Sequence, residues 1–173
     1  MKKRIESYKS LKEFVLLTRD IIHSEEFIKM KEYKHHIKSN LYEHSVRVAY
    51  LCYRHHKRFN LKIDLADFVR GALLHDYYLY DLHGDEMPHR FHWFNHPKKA
   101  LENAAEKYPL LTSMQKDMIR RHMFPLTAIP PKTKAGWLIC FYDKVAAISD
   151  RFGDKEKRIP SLSFEKELIS NKS

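Results

Sequence analysis

Glycine and cysteine are both scarce in this chain of 173 residues, and each scarcity excludes a class of chemistry. The 4 glycines do not form the glycine-rich loops with which P-loop and dinucleotide-binding proteins hold phosphates. The two cysteines, Cys52 and Cys140, lie far apart, so they provide neither a disulfide framework nor the CxxC pair of a zinc-thiolate site. Any phosphate chemistry must therefore depend on cationic side chains or on a metal ion.

Long hydrophobic runs are also missing. No run approaches the ~18–20 apolar residues of a membrane-spanning helix, and the mean hydropathy is −0.58. The basic N-terminal stretch is followed by further charges rather than by the apolar core of a signal peptide. We therefore expect a cytoplasmic protein with no membrane contact.

The net charge is strongly positive: 32 Lys and Arg stand against 22 Asp and Glu, which gives +10. Such a charge concentrates anions near the surface and speeds their capture. Nucleotides, sugar phosphates, nucleic acid and acidic lipid all remain possible partners. A basic surface that serves only solubility is equally compatible with the charge.

The hydrophobic pattern is helical nearly throughout and predicts an all-α fold, a single-domain helical bundle. The domain boundaries that we expect are residues 1–34 for N-terminal helices packed on the domain, 35–152 for the main domain and 153–173 for a charged C-terminal tail. Predicted helices cover residues 8–20, 24–33, 40–58, 64–75, 95–107, 112–122 and 134–152. Predicted core positions in the first two helices are Leu11, Phe14, Val15, Ile21, Phe27 and Ile28.

The boundaries of several helices follow from capping signals. Asn40 with Glu43, and Thr112 with Gln115, have capping-box spacing, and Asp64 can cap the helix that follows it. The segment from 77 to 95 has no clean period and is predicted to be a loop, after which the Asn-His-Pro triplet at 95–97 should open a helix. No strand pattern is present.

Histidine is abundant, with 12 in the chain, and the positions of a few of them indicate a metal site. Helical bundles build such sites from side chains that point inward from separate helices. Imidazole and carboxylate ligands without thiolates suit Mn, Fe, Co, Ni or Zn. The candidates, each at a different predicted helix or helix end, are His44, the pair His75-Asp76, His96, His122 and Asp143. By contrast, His23, His55 and His56 are predicted to be surface residues.

The order and surroundings of these residues resemble the HD-superfamily phosphohydrolases. The matching segments are Tyr42-Glu43-His44, Ala72-Leu73-Leu74-His75-Asp76, Asn95-His96-Pro97, Ile119-Arg120-Arg121-His122 and Tyr142-Asp143-Lys144. They are similar to uncharacterised bacterial HD-domain proteins over about residues 35–150. The resemblance implies that His44, His75, Asp76 and Asp143 bind a first divalent ion. It further implies that His96 and His122 hold a second ion, with Asp76 as the bridge.

One departure from the family pattern concerns the cation that faces the substrate. Many two-metal members carry a lysine three residues after the HD aspartate, where this chain has Leu79. Lys144, Arg90, Arg120 and Arg121 are the candidates to replace it. We predict Asp76 and Lys144 as catalytic residues and Arg90, Arg121 and Lys144 as substrate-binding residues. The Gly-Tyr-Pro signature of the cyclic-di-GMP phosphodiesterases is missing, which disfavours that substrate.

Three functions compete at this level. The first is a metal-dependent phosphohydrolase that acts on a phosphate ester or anhydride, a nucleotide or another small phosphorylated metabolite, by metal-activated water. Its cofactor would be one or two divalent ions, with Fe or Mn favoured and Zn, Ni, Co or Mg as other choices. The second is an HD-type di-iron oxygenase, which the same ligands would suit. The third, a regulatory module that binds metal and nucleic acid, is disfavoured by the lack of a nucleic-acid motif.

Overall fold

A computed structural model describes the backbone of residues 2–36, 39–79 and 89–152, and the side chains of 8–33, 39–79 and 95–149. Within these ranges the chain forms seven α-helices and one small hairpin. The helices are α1 (Lys2–Ile22), α2 (Glu25–Lys29), α3 (Leu41–Phe59), α4 (Leu65–Leu73), α5 (His89–Lys107), α6 (Ser113–Arg121) and α7 (Lys134–Phe152). The strands β1 (Lys34–His36) and β2 (Ser39–Asn40) pair antiparallel. The predicted all-α fold is confirmed.

Helix α3 lies at the centre of the bundle. It packs against α4 and α7, α4 packs in turn on α1 and α6, and α6 contacts α5 and α7. Val48, Ala49 and Cys52 of α3 are completely buried. A helix buried on this scale is held by tertiary packing rather than by its own propensity, so its side chains are fixed relative to the helices around it.

Capping interactions fix where the helices begin. Asn40 Oδ1 accepts a hydrogen bond of 2.8 Å from the Glu43 amide, and Asp64 accepts one from the amide of Asp67 at the start of α4. Thr112 and Gln115 form the full capping box. At its other end α3 stops at Asn60, which has φ 45° and so takes the left-handed conformation that ends many helices.

Several sequence predictions of the fold were wrong. The second helix is one turn shorter than predicted, because α2 ends at Lys29, and Ile28 is 41% exposed while its neighbour Phe27 fills the core. The hairpin β1–β2 was not predicted, since strands of three and two residues are too short to show a period.

The predicted start of α5 was also wrong, and this error concerns a residue of the candidate site, His96. The helix begins at His89, so Pro97 and His96 lie inside it rather than in its first turn. Proline suits the first turn best but also occurs within kinked helices, so the triplet at 95–97 could not distinguish the two positions. Among the described residues, no helix is long and apolar enough to cross a membrane.

The junction between α6 and α7 is held by a buried carboxylate. Asp117 accepts hydrogen bonds from the amides of Lys132 and Thr133, at 3.0 and 2.9 Å, and from the Thr133 hydroxyl at 2.8 Å. Gly136, in the first turn of α7, lies against it: a Cβ there would be 2.7 Å from Asp117 Oδ2 and 2.7 Å from Pro131 Cβ. The absence of a side chain at 136 thus lets α7 approach α6 closely.

Replacing Gly136 with alanine should destabilise the protein by about 1–3 kcal/mol, the usual cost of an added methyl in a packed site. Gly71→Ala is the matched comparison, because its Cβ would meet the flexible Met118 side chain, with Sδ at 2.8 Å. There the helix-propensity gain of alanine over glycine, up to about 1 kcal/mol, offsets much of the clash. Urea unfolding midpoints test the pair, and equal midpoints would contradict this packing.

Candidate metal centre

Five parts of the fold bring six polar side chains to one place in the core. His44 comes from the first turns of α3, Asp143 from the middle of α7 and His96 from within α5. His75 and Asp76 follow the end of α4, and His122 is the C-terminal cap of α6. Five of them are buried, and Asp143 is mostly buried, with 13% side-chain exposure. Imidazoles and carboxylates buried together in this way need compensating charge and hydrogen bonds.

The first group consists of His44, His75 and Asp143. His44 Nε2 lies 3.1 Å from Asp143 Oδ1, and His75 Nε2 lies 3.8 Å from the same oxygen. One ligand atom from each of the three residues can be chosen so that all lie within 4.8 Å of one another. Two nitrogens and one carboxylate oxygen therefore converge on a small volume that could hold a metal ion.

The second group consists of Asp76, His96 and His122. His96 Nε2 and His122 Nε2 are 2.9 Å apart, and each lies close to Asp76 Oδ1, at 3.3 and 3.2 Å. Ligands that sit 2.0–2.2 Å from one ion are about 3 Å apart when they occupy neighbouring positions. The separations within this group match that spacing.

Asp76 lies between the two groups and divides its oxygens between them. Oδ1 faces His96 and His122, whereas Oδ2 lies 3.4 Å from His75 Nε2 and 3.9 Å from His44 Nε2. This is the arrangement of a carboxylate that could bridge two ions.

The rings of His75 and His122 are oriented by the same kind of hydrogen bond to the backbone. Each lies just past a helix and places its Nδ1 2.8 Å from a backbone carbonyl three residues earlier, Ala72 for His75 and Ile119 for His122. An Nδ1–H that donates to the carbonyl leaves the Nε2 lone pair of the neutral ring directed at the centre. A ring held in one tautomer by a backbone acceptor is the usual state of a histidine ligand.

The electrostatics of the centre favour ionised Asp76 and Asp143 and a neutral His122. Burial acts to raise the pKa of Asp76, but His75, with hydrogen bonds from His122 and His96, outweighs it and lowers the pKa well below the usual value. Burial acts likewise on Asp143, and the bond from His44 with the nearby His75 again lowers its pKa. Burial lowers the pKa of His122, although Asp76 opposes this. Carboxylates and neutral imidazoles are the forms that bind metal.

A further observation indicates that these donor atoms fit a divalent cation. His75 Nε2 is buried and has no hydrogen-bond partner among the described residues, although Asp76 Oδ2 lies 3.4 Å away. A buried nitrogen left in this way is costly, and a cation at the centre would remove the cost. Nitrogen and oxygen donors without sulfur suit Mn, Fe, Co, Ni or Zn.

Comparison with known proteins shows the family of the chain. The family described as HD domain matches residues 41–155, about two thirds of the chain. The chain belongs to the HD-domain family. Searches of curated proteins and of solved structures found no match. HD domains bind divalent metals and are generally hydrolases, which supports metal-dependent hydrolase chemistry for this chain without identifying the substrate.

Of the cations predicted to bind substrate, Lys144 lies beside the candidate metal centre and Arg121 does not. Lys144 Nζ donates to the carbonyls of Cys140 and His122, at 3.1 and 3.3 Å, and lies 3.9 Å from Asp143 Oδ2. Arg121 instead donates to the Pro130 carbonyl at 2.7 Å and pairs with Asp117 through Nε. Its guanidinium therefore stabilises the connection between α6 and α7, and the structure gives it no contact with the six-residue cluster.

The remaining cation, Arg90, lies in the first turn of α5, and its side chain is outside the described residues. Tyr78 is one of several aromatic residues that the sequence predicts mainly to pack the segment from 77 to 95 onto the domain, and its ring centroid lies 5.5 Å from that of His96 in an edge-on contact. No spacing signal could have found it, because Tyr78 lies at the start of the segment without a period.

Proposed function

We propose that this HD domain is a two-metal phosphohydrolase that cleaves a phosphate ester or anhydride in a nucleotide or another small phosphorylated metabolite of the cytoplasm. The observation that carries the proposal is the division of the Asp76 oxygens between two ligand groups, each of which could hold one ion. Two-metal sites separated by about 3.5–4 Å are typical of enzymes that displace a group from phosphorus.

Bound divalent ions would activate water near neutral pH and neutralise charge that develops on the phosphoryl oxygens. The protein's own part is to hold the centre in place and to keep bulk water out. His75 and His122 are fixed through backbone carbonyls, so they present Nε2 without rearrangement. Asp143, partly accessible, marks the side from which substrate could enter.

Lys144 is the cation best placed to contact the substrate. Two backbone carbonyls accept hydrogen bonds from its Nζ, leaving a third donor available, and the side chain is 38% exposed. An ammonium held beside the centre can bind a phosphoryl oxygen and stabilise the charge that the departing group leaves. It would thereby take the role of the lysine that Leu79 replaces.

Replacing Lys144 with methionine should lower kcat by roughly 10²-fold, the scale seen when one charge-stabilising donor is removed. The content of bound metal should stay at the parent value, since Lys144 is not among the predicted ligands. Lys132→Met, on the exposed connection before α7, is the control and should keep full activity. A Lys144→Met variant with parental kcat would exclude this role.

The proposal as a whole is tested with protein purified anaerobically and loaded with Mn or Fe. We expect release of phosphate or a nucleoside monophosphate from at least one member of a nucleotide and phosphate-ester panel, and loss of that release with a chelator. Oxygen consumption by two tightly bound irons, with no hydrolysis across the panel, would instead assign the centre to an oxygenase.

A further inference from the structure

A cavity of about 420 Å³ lies at the C-terminal end of α3, between that helix, Ser10 of α1 and Tyr142 of α7. We call it the α3 pocket. None of the six residues of the candidate metal centre lines it. His55, in its wall, is eleven residues beyond His44 on the same helix, which corresponds to roughly 16 Å of helix. The α3 pocket is therefore a separate place on the surface. The other α3 residues that line it are Leu51, Tyr53, Arg54, Lys57, Arg58 and Phe59.

The pocket carries positive charge that nearby carboxylates do not balance. Lys57 is paired with Glu13 at 3.0 Å. Among the described residues, no carboxylate forms an ion pair with Arg54 or Arg58, and both side chains are exposed. Uncompensated guanidinium groups on one rim form a binding surface for an anion, because each presents several donors in a fixed plane.

A further basic group, Lys134, acts on the same pocket. Burial, followed by the charge of Lys134, lowers the pKa of His55. The Lys134 charge thus acts on His55, which lies in the wall of the pocket.

An exposed aromatic ring adjoins these cations. Phe59 is 58% exposed, and its ring centroid lies 4.5 Å from that of His55 and 5.6 Å from the Arg58 guanidinium carbon. His55 is itself held by a contact of 2.5 Å between Nδ1 and the Tyr142 hydroxyl. A large apolar ring exposed beside anchored polar groups offers a face on which a base can stack.

We propose that the α3 pocket is a second anion site that binds a nucleoside phosphate, with Arg54 and Arg58 on the phosphate and Phe59 against the base. The inference stands on the pocket itself and does not require that the metal centre hydrolyse phosphates. It places His55, which the sequence indicated only as a surface residue, in the wall of a binding site. The ligand needs both features, an anionic phosphate for the arginines and a flat ring for Phe59.

The test is calorimetric titration of the full-length metal-loaded protein with ADP and, separately, with inorganic phosphate. Arg54→Ala/Arg58→Ala should weaken ADP binding by about tenfold or more, the scale of a lost bond to a charged group. The control Lys116→Ala/Lys132→Ala removes the same charge from exposed positions elsewhere. It should change the ADP affinity by less than about twofold, as expected for distant screened charges. Equal losses in the two double variants would overturn the site.

Phe59→Ala distinguishes a nucleotide from phosphate alone. This substitution should weaken the binding of ADP about tenfold, which is the scale of one base stack, and should leave the binding of inorganic phosphate unchanged. If Phe59→Ala binds ADP as the parent does, the nucleoside part of the proposal is wrong.

An Asp76→Ala background separates the α3 pocket from the metal centre. ADP should still bind in that background and should perturb the NMR resonances of His55 and Tyr142. Loss of all ADP binding there would contradict the pocket while leaving the hydrolase proposal intact. ADP binding by a parent protein that hydrolyses no member of the phosphate panel would support the pocket and contradict the hydrolase proposal.

Discussion

Replacing Asp76 with alanine should abolish metal-dependent turnover while the helical content of the protein is kept. Oδ1 of this residue lies 3.2 Å from His122 Nε2 and Oδ2 lies 3.4 Å from His75 Nε2, so one substitution removes a donor from both ligand groups. Changing an outer-shell partner of a ligand typically lowers metal affinity or activity by about 10–100-fold. The loss of a shared inner ligand should exceed that range.

The matched control is Glu106→Ala, which removes an exposed carboxylate from α5. It should retain parental turnover and parental metal content. Circular dichroism and metal analysis on both variants separate loss of the centre from loss of the fold. An Asp76→Ala protein that keeps full activity would show that the chemistry occurs elsewhere.

Adding a divalent ion should raise the thermal stability of the metal-free protein substantially. A ligand that binds only the folded state contributes about 4 kcal/mol at a thousand times its Kd. Each kcal/mol shifts Tm by about 2–4 °C in a protein of this size, so one site gives a rise of roughly 8–16 °C. The cost of leaving His75 Nε2 without a partner would be removed at the same time.

The two ligand groups should contribute to this rise separately. His44→Ala should reduce the rise by weakening the first group, and His122→Ala should reduce it by weakening the second. The double variant should show little rise, and Glu106→Ala should show the full one. A rise of parental size in the double variant, measured by differential scanning calorimetry with Mn, would exclude these groups as the binding site.

The sequence predicted the helices best where a capping residue marks their start. Asn40, Asp64 and Thr112 each accept the amide hydrogen bond that their spacing indicated. The start of α5 was predicted wrongly because the segment from 77 to 95 has no clean period, and Pro97 does not tell a first turn from a helix interior. A local signal of this kind fixes a helix boundary only when the residue type concerned occurs at a single position relative to that boundary.

The candidate ligands were predicted from their order along the chain and from the family resemblance, and the fold brings all six together. What the sequence could not reveal is how they are held. The carbonyls of Ala72 and Ile119 orient two of the rings, but backbone acceptors are present at every residue and carry no sequence signal. That these residues bind metal and catalyse remains a prediction.

The role of Arg121 illustrates a further limit. In the sequence it is a cation beside a candidate ligand, and it was predicted to bind substrate. The fold turns its guanidinium to Asp117 and the Pro130 carbonyl. Which way a charged side chain points depends on tertiary partners distant in sequence, so the sequence alone could not distinguish the surroundings of Lys144 from those of Arg121.

The most direct test of the two-ion centre is anomalous X-ray diffraction from crystals grown with saturating Mn. We expect two peaks about 3.5–4 Å apart, the spacing of two-metal hydrolytic sites. One should lie among His44, His75 and Asp143, the other between His96 and His122, with one oxygen of Asp76 toward each. Saturated crystals with no peak among these side chains would contradict the account.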